Sequence, residues 1–438
     1  MWLLPLFSRV AAFATRTFYR TTITGGEIPR DGPLLLAGNH PNSLLDPLFL
    51  AAVARRPVRF LAKAPLFSDP WTSWAVTAVG AIPVYRPRDN PVLVQQNANM
   101  FRAAHDALLA GAAVGIFPEG MSHDAPSIAS LRTGAARIAL GARSRLGGVF
   151  PIIPVGLVLR NKEEFRSGAH VLVGDPVRWD DVTGTEDSPE AVKELTARID
   201  RALRAVTLNL EQWEDSALVA AAEAVFVAEH GAGPASGTQV DRWREAARIL
   251  SAARREGDTA AINLAREIRR HARALDLFGL EPADLHAETD LPGAARWSAT
   301  RITLPLQLAI AWVGAVLFWA PYRFTAVIVN LTAPDGASRA SVKLVAGTAL
   351  FLLWIALLTA VIWINAGWPA GLAALVLLPL LALATLSLLE QAADAWSDAR
   401  RFVLLRSRAR RLGELRLRQA ELARRLHTLR DRVTREPR

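Results

Sequence analysis

The chain has 438 residues, length for two or three folded units, and its 51% hydrophobic content with positive mean hydropathy excludes a disordered chain and points to a membrane-embedded portion. The net charge of +10 is local: residues 398–438 hold 14 arginines against five acidic residues, which excludes a general nucleic-acid-binding domain and reads as a basic tail beside anionic headgroups. No cysteine is present, so disulfides, cysteine-ligated metals and acyl-cysteine intermediates are excluded, and the composition suits a cytosol-facing enzyme.

In chain order, Met1 to Arg20 opens with a short apolar run and then sets Arg9, Arg16 and Arg20 among Val10, Phe13 and Phe18, without a signal-peptide cleavage pattern. Residues 1–22 read as an amphipathic helix in a membrane interface, with arginines reaching toward phosphates, or as an ordinary packing helix. From Pro33 to about Asp180, apolar runs of strand length alternate with helical stretches. The runs are Leu34–Ala37, Val58–Leu61, Ala81–Val84, Ala113–Ile116, Ile152–Val155 and Val171–Val173, and helices are expected near 44–55, 91–110 and 131–145. This alternation predicts an α/β domain. A helical stretch over 188–229 closes it, giving a domain over 23–230, and Gly231–Gly237 breaks the pattern as a linker. Residues 231–298 form a helical arm, Arg/Glu/Ala-rich over 238–275, with no recognisable chemistry.

A membrane region follows over 299–390. Leu344–Ile364 and Ala370–Leu389 carry no charge and are long enough for a hydrocarbon core of ~30 Å, with Trp363 and Trp368 flanking their connection. A third apolar run, Ile302–Tyr322, lies between Arg301 and Arg323 and is interrupted by Pro305 and Pro321, so it either spans or re-enters. The basic tail, 391–438, spaces Leu415, Leu422 and Leu429 by seven, with Leu412, Leu426 and Val433 in a second register broken by Gln419. That spacing fits a short coiled coil pairing two copies of the chain, or a basic helix on the membrane.

The chemistry sits at strand ends. Gly38-Asn39-His40-Pro41-Asn42-Ser43-Leu44-Leu45-Asp46-Pro47 follows the first apolar strand, so its polar groups open at the carboxyl end of the sheet. Pro41 keeps His40 out of the helical region, and Asn42 and Ser43 are expected to cap the helix that follows. An imidazole accepts a proton from an alcohol near neutral pH, and a carboxylate on its other nitrogen fixes the tautomer. Phe117-Pro118-Glu119-Gly120 ends another strand, and Gly120 allows close backbone approach to a ligand. Gly80–Arg86 delivers Arg86, whose planar fork matches phosphate, although taken alone Arg86 reads as a surface cation. Lys63 and Arg132 are further candidates for phosphate contact, each with the same alternative. Neither Ser43 nor Ser122 sits in a Gly-x-Ser-x-Gly elbow, and His105, His170, His230, His271, His286 and His427 show no metal-ligand spacing, so no metal is implied.

In order and spacing, His40…Asp46, Gly80…Arg86, Phe117-Pro118-Glu119-Gly120 and Ile152-Ile153-Pro154-Val155 resemble the four sequence blocks of the glycerolipid acyltransferase superfamily. The likeness covers about residues 20–230 and is specific because four blocks agree. Ser122-His123-Asp124, followed by Leu131–Arg137, is similar to the glycerol-3-phosphate/dihydroxyacetone-phosphate acyltransferase branch more than to the lysophosphatidate branch, and the arm and C-terminal membrane segments fit that branch. The superfamily pattern separates His and Asp by four residues; five intervene here, a spacing that branch shares, and the turn must absorb the extra residue.

The resemblance implies an α/β fold with a mixed sheet and surrounding helices. It makes His40 the general base and Asp46 its orienting partner, with Arg86, Glu119 and Gly120 as the acceptor site, Arg86 on the phosphate and Glu119 on hydroxyls or on Arg86 itself. Pro154 then shapes the donor side. The donor is acyl-CoA or acyl-carrier protein, used as co-substrate with no cofactor, and the acceptor is glycerol 3-phosphate, dihydroxyacetone phosphate or a lysophospholipid. Membrane phospholipids are the surrounding partners, and the expected location is the cell membrane, with the catalytic domain and tail cytoplasmic. A reading from another class is an inactive membrane-anchored scaffold; the intact His40, Asp46 and Glu119 argue against it.

Overall fold

A computed structural model describes residues 2–70, 72–86, 95, 97–159, 161–232, 237–287, 303–332 and 336–435. They form two compact units, Met1–Asn209 with Ala333–Leu344, and Leu210–Thr332 with Val345–Arg438. Parts of the expected 91–110 helix and Gly231–Gly237 linker, the end of the arm, and Arg301 and Ile302 lie outside the described residues.

The first unit runs α1 (Leu4–Phe18), β1 (Arg20–Gly25), β2 (Leu34–Gly38), α2 (Leu45–Ala54), β3 (Val58–Lys63), the short α3 (Pro65–Ser68) and α4 (Ser73–Ala78), β4 (Ile82–Val84), α5 (Asn97–Leu109), β5 (Ala113–Ile116), α6 (Gly134–Leu146), β6 (Ile152–Leu159), β7 (Gly168–Val173) and α7 (Pro189–Val206). The strands make one mixed sheet in the order β1-β7-β6-β2-β5-β3-β4, parallel at every junction except β6–β7. This is an α/β fold with helices around a mixed sheet. β2 lies in the middle, Leu34 opposite Ala113 and Leu35 opposite Ile152, and every one of its residues is buried. An unbroken apolar run is what a strand covered on both faces requires. β1 has no such run: Arg20–Gly25 is an edge strand with mostly exposed side chains, and only its register with β7 reveals it.

Because β2, β5, β3 and β4 are parallel, their carboxyl ends lie on one edge, where His40, Glu119, Lys63 and Arg86 leave the sheet in that order. A packing column supports the first of these. Gly115 in β5 carries no side chain, and a Cβ there would sit 2.3 Å from Phe60 Cε1. The bare backbone admits the Phe60 ring, which stacks on Phe117 at 6.3 Å between centroids, and Phe117 stacks on the His40 imidazole at 4.2 Å and 14°.

The cap expected at the start of α2 is not formed by Asn42 or Ser43. Ser43 takes a left-handed conformation with φ of 48°, Leu44 is the residue preceding the helix, and no side chain of this turn caps it. A capping side chain works from an extended backbone, which Ser43 does not have. The Leu44 N–H instead donates to the Ser341 hydroxyl at 3.1 Å.

In the second unit, α8 (Glu214–His230), α9 (Gln239–Glu256) and α10 (Thr259–Asp276) precede a 3₁₀ turn at Pro282–His286, then α11 (Leu304–Leu317), α12 (Trp319–Thr332), α13 (Gly336–Ala366), α14 (Trp368–Ser407) and α15 (Ala409–Arg435). The residues of α13 through Leu344 belong to the first unit. Thr238 and Asp258 cap α9 and α10 with their side chains, which sharpens the arm hairpin.

The 188–229 stretch breaks after α7, and the apolar face of α8 packs on α10 and α15: Leu218, Ala222 and Val225 share a core with Leu264, Ile268, Leu422 and Ala423. The leucine face of the tail is likewise occupied within the chain. Leu422 is in that core with Leu426 and Leu429 against it, Leu412 and Leu415 pack with Leu275 and Leu285, and Gln419 is fully buried on His271, Glu229 and the Pro282 carbonyl. These leucines thus pack against helices of the same chain.

Two helices, Arg339–Ala366 and Trp368–Ser407, are long and apolar enough to cross a membrane, and they contain the two expected spans. α11 and α12 pass the same test only as a pair bent by 53°. At 1.5 Å per residue α14 is about 60 Å long, twice the hydrocarbon thickness, so its arginine-bearing second half continues past the apolar segment.

Candidate active site

The site begins where β2 stops pairing. The Asn39 amide takes over the ladder, donating to the Leu157 carbonyl at 3.0 Å and accepting from the Leu157 N–H at 2.7 Å, so the main chain can turn away without orphaning β6. His40 comes next. Its backbone N–H donates to Glu119 Oε1 at 2.8 Å, and its Nδ1 lies 2.7 Å from Asp46 Oδ2. The same carboxylate oxygen accepts the Asn42 N–H at 2.7 Å. With Asp46 as acceptor, Nδ1 carries the proton and Nε2 is left as the basic nitrogen. Burial pushes the Asp46 carboxyl up, while the bond and charge of His40, the Asn42 N–H and Lys162 oppose that rise.

The fifth intervening residue is absorbed at Ser43. A left-handed conformation costs a residue other than glycine roughly 1–2 kcal/mol, and each bracketing hydrogen bond contributes about 0.5–1.5 kcal/mol. Here the Ser43 N–H donates to Ser122 Oγ at 3.1 Å, the Asn42 side-chain amide donates to the Tyr19 hydroxyl at 2.8 Å, and Tyr19 donates to the Lys162 carbonyl at 2.5 Å. Lys162 Nζ reaches the Pro41 carbonyl at 3.1 Å and Asp124 at 2.7 Å. The bonds are enough to hold the strained turn.

Glu119 contacts protein groups through both carboxylate oxygens. Its side chain is buried, Oε1 accepts from the His40 N–H, and Oε2 accepts from the Ala129 N–H at 2.8 Å and pairs with His123 Nε2. His123 Nδ1 accepts the Ala125 N–H at 3.1 Å, so Nε2 carries the proton it gives to Glu119. The expected partners, substrate hydroxyls or Arg86, meet a carboxylate whose oxygens are already turned inward. Gly120 adopts φ of 75°, and a Cβ there would meet Arg132 Cγ at 3.3 Å, which sets exposed Arg132 beside the Glu119 turn. Lys63 is exposed at the end of β3, paired in register with Val84, and Arg86 follows β4. β4 is three strand intervals from β2, about 14 Å along the edge. His40, Asp46, Glu119, Gly120 and Arg132 are therefore neighbours, while Lys63 and Arg86 mark the far end of the same edge.

Tyr19, Lys162, His123 and Ser341 were not read as site residues from the sequence. Tyr19 acts through its hydroxyl and Lys162 through both its backbone carbonyl and its Nζ, which no motif records. His123 stood in view within Ser122-His123-Asp124, and its spacing of four from Glu119 was the available signal.

Residues 20–158 match the family model described as Acyltransferase. Among curated proteins, glycerol-3-phosphate O-acyltransferase 2 of Saccharomyces cerevisiae is 28% identical over 268 residues, covering 59% of this chain and 35% of that protein. Glycerol-3-phosphate O-acyltransferase 1 of the same yeast is 36% identical over 107 residues, 23% of this chain and 14% of that protein. The chain thus spans about a third, or less, of the length of these relatives. The crystal structure of the 1-acyl-sn-glycerophosphate (LPA) acyltransferase PlsC from Thermotoga maritima aligns at 19% identity and a TM-score of 0.33 over 46% of this chain and 78% of that one. The span that matches the family model takes in His40, Asp46, Glu119 and His123, whereas Lys162 and Ser341 lie beyond it.

Proposed function

We propose that the chain is a membrane-bound O-acyltransferase that moves a fatty acyl group from an acyl thioester, acyl-CoA or acyl-carrier protein, to glycerol 3-phosphate or dihydroxyacetone phosphate. The observation that carries this reading is the His40–Asp46 pair, 2.7 Å apart at the carboxyl edge of an acyltransferase domain. Two yeast relatives named glycerol-3-phosphate O-acyltransferases support the acceptor class.

In this mechanism the acceptor hydroxyl gives its proton to His40 Nε2 as its oxygen attacks the thioester carbonyl. The new C–O bond yields a tetrahedral oxyanion, which collapses with breakage of the C–S bond, and the imidazolium returns the proton to the departing sulfur. Asp46 holds the tautomer and stabilises the imidazolium through Nδ1. Both substrates react in one ternary complex, so orientation supplies much of the acceleration. Arg132 beside the Glu119 turn, with Lys63 and Arg86 farther along the edge, supplies cations for the acceptor phosphate. Glu119 acts as a positioning residue, because its carboxylate holds the His40 backbone. The catalytic domain and arginine-rich tail face the cytoplasm, following the positive-inside bias.

The test is transfer of labelled acyl groups from acyl-CoA to glycerol 3-phosphate, dihydroxyacetone phosphate and lysophosphatidate in parallel, with His40→Ala beside the natural chain. The expected result is preference for a small phosphate and a rate lowered about 10²–10⁴-fold in the variant. Preference for lysophosphatidate would keep the chemistry and replace the acceptor. Transfer to none of them, with acyl-carrier-protein donors tried as well, would overturn the reading.

A further inference from the structure

The segment Ala333–Leu344 is separated by some three hundred residues from the turn that carries His40 and Asp46, yet it belongs to the same compact unit. Ala340 is fully buried in the core shared with α2 and the central strands. Arg339 Nε lies 3.1 Å from Glu163 Oε2, and Lys343 Nζ donates to the Glu163 carbonyl at 2.5 Å. Between these anchors sits Ser341, itself buried. Its hydroxyl accepts the Leu44 N–H at 3.1 Å and donates to the Asn42 carbonyl at 3.3 Å. The two bonds straddle Ser43, the left-handed residue.

We propose that Ser341 is a positioning residue for the catalytic turn: by bridging the Asn42 carbonyl and the Leu44 N–H it holds Ser43 left-handed and so keeps Asp46 against His40. The geometry leaves it no direct part in the chemistry, since both bonds go to backbone. Asp46 is reached through the turn. The Asn42 N–H that binds Asp46 Oδ2 lies in the Pro41–Asn42 peptide, one residue before the Asn42–Ser43 peptide whose carbonyl Ser341 holds, and that carbonyl also accepts the Leu45 N–H at 3.1 Å. Relaxing Ser43 to an extended or right-handed conformation would swing the Asn42–Ser43 peptide relative to α2, and residue Asn42 with it, and so draw the Asn42 N–H from the carboxylate. A non-glycine residue persists in such a conformation only where its surroundings over-determine it. Glycine at this position would need no brace, because it enters the left-handed region without steric cost.

The assignment of a catalytic consequence rests on the acyltransferase reading, whereas the bracing of the turn does not, and two readouts separate them. The first is acyl transfer by Ser341→Ala measured in the Ser43 chain and again in a Ser43→Gly background, a double-mutant cycle. With Ser43 present, Ser341→Ala is expected to lower kcat about tenfold with KM for donor and acceptor unchanged. In the glycine background the same change is expected to cost less than about twofold. The second readout is hydrogen–deuterium exchange of the peptide covering Asn42–Leu45 in lipid nanodiscs. Ser341→Ala is expected to speed it while the β2 and β5 peptides keep their protection, which also shows that the variant is folded. An equal loss of kcat in both backgrounds, or a variant that keeps full kcat with unchanged exchange at Asn42–Leu45, overturns the proposal. If the natural chain transfers no acyl group, the acyltransferase reading fails and the exchange measurement alone decides whether Ser341 braces the turn.

Discussion

Asp46 is a carboxylate whose side chain is wholly buried and whose Oδ1 has no hydrogen-bond partner among the described residues. Burial raises its pKa above the ordinary 3.8, despite the opposing His40, Asn42 and Lys162. The linkage follows in sign: a carboxyl that binds its proton more tightly in the fold than in the unfolded chain favours the fold below the unfolded value, and loses that contribution as pH rises through the folded one. Asp46→Asn removes the titration. Thermal unfolding of the two proteins from neutral pH down to about pH 4 should therefore show the natural chain gaining on the variant as pH falls, while acyl transfer by the variant at neutral pH is reduced at least about a hundredfold. A difference that moves the other way would mean that the fold holds Asp46 ionised more firmly than water does. At this scale the sequence was informative where a motif records the side-chain types that meet, as with His40 and Asp46, whose Nδ1 and Oδ2 lie 2.7 Å apart. It was silent on Tyr19 and Lys162, whose contacts run through a hydroxyl, a backbone carbonyl and an ammonium, and on the inward partners of Glu119, whose burial depends on how His123 and the Ala129 N–H close around it.

Among the elements, α1 reconciles the two readings of residues 1–22. One face packs inward through Ala11, Thr15 and Phe18. Trp2, Leu6, Val10 and Phe13 recur at intervals of four, four and three and are exposed on another face, with Arg9, Arg16 and Arg20 also exposed. An apolar stripe flanked by arginines suits the headgroup–acyl boundary, and each large side chain fully buried there contributes about 1.5–3 kcal/mol. Because the chain has no cysteine, Phe13→Cys offers a single labelling site. A polarity-sensitive fluorophore at that position should emit as in an apolar medium and be quenched by lipid-tail quenchers, while the same probe at Arg16→Cys should not. Matching spectra at both positions would remove the interface role and leave a packing helix. Elements were legible in proportion to how completely they are buried. β2 and β5 lie inside the sheet and show as apolar runs, whereas β1 is an exposed edge and the break between α7 and α8 carries neither glycine nor proline. The heptad spacing of α15 was visible, but its partner was not: a leucine face records that it must be covered, not by which helix.

For the whole molecule, the proposed membrane attachment requires a definite number of crossings, and helix length narrows it. α11 and α12 have 14 residues each, about 21 Å at 1.5 Å per residue, too short for either to cross a core of ~30 Å alone. Together, across their 53° bend, they are long enough to cross once or to dip and return. Arg323 decides between these. It is exposed on α12, its guanidinium 6.0 Å from the Trp319 ring centroid. Near the centre of a span such an arginine costs about 2.5–3.5 kcal/mol, whereas a re-entrant pair keeps it at the headgroups with Trp319 in the interfacial belt. The pair is therefore expected to return to the side it entered, with α13 and α14 crossing as a hairpin through Gly367. In sealed vesicles of one orientation, a membrane-impermeant maleimide should label Thr303→Cys and Thr332→Cys from the same side and Asn365→Cys from the other. Arg424→Cys in the basic tail should then share the side of Thr332, because two crossings bring the chain back. Opposite labelling of Thr303 and Thr332 would make the bent pair a broken span, raise the crossings to three, and show that the membrane thins or hydrates around Arg323 enough to offset its charge.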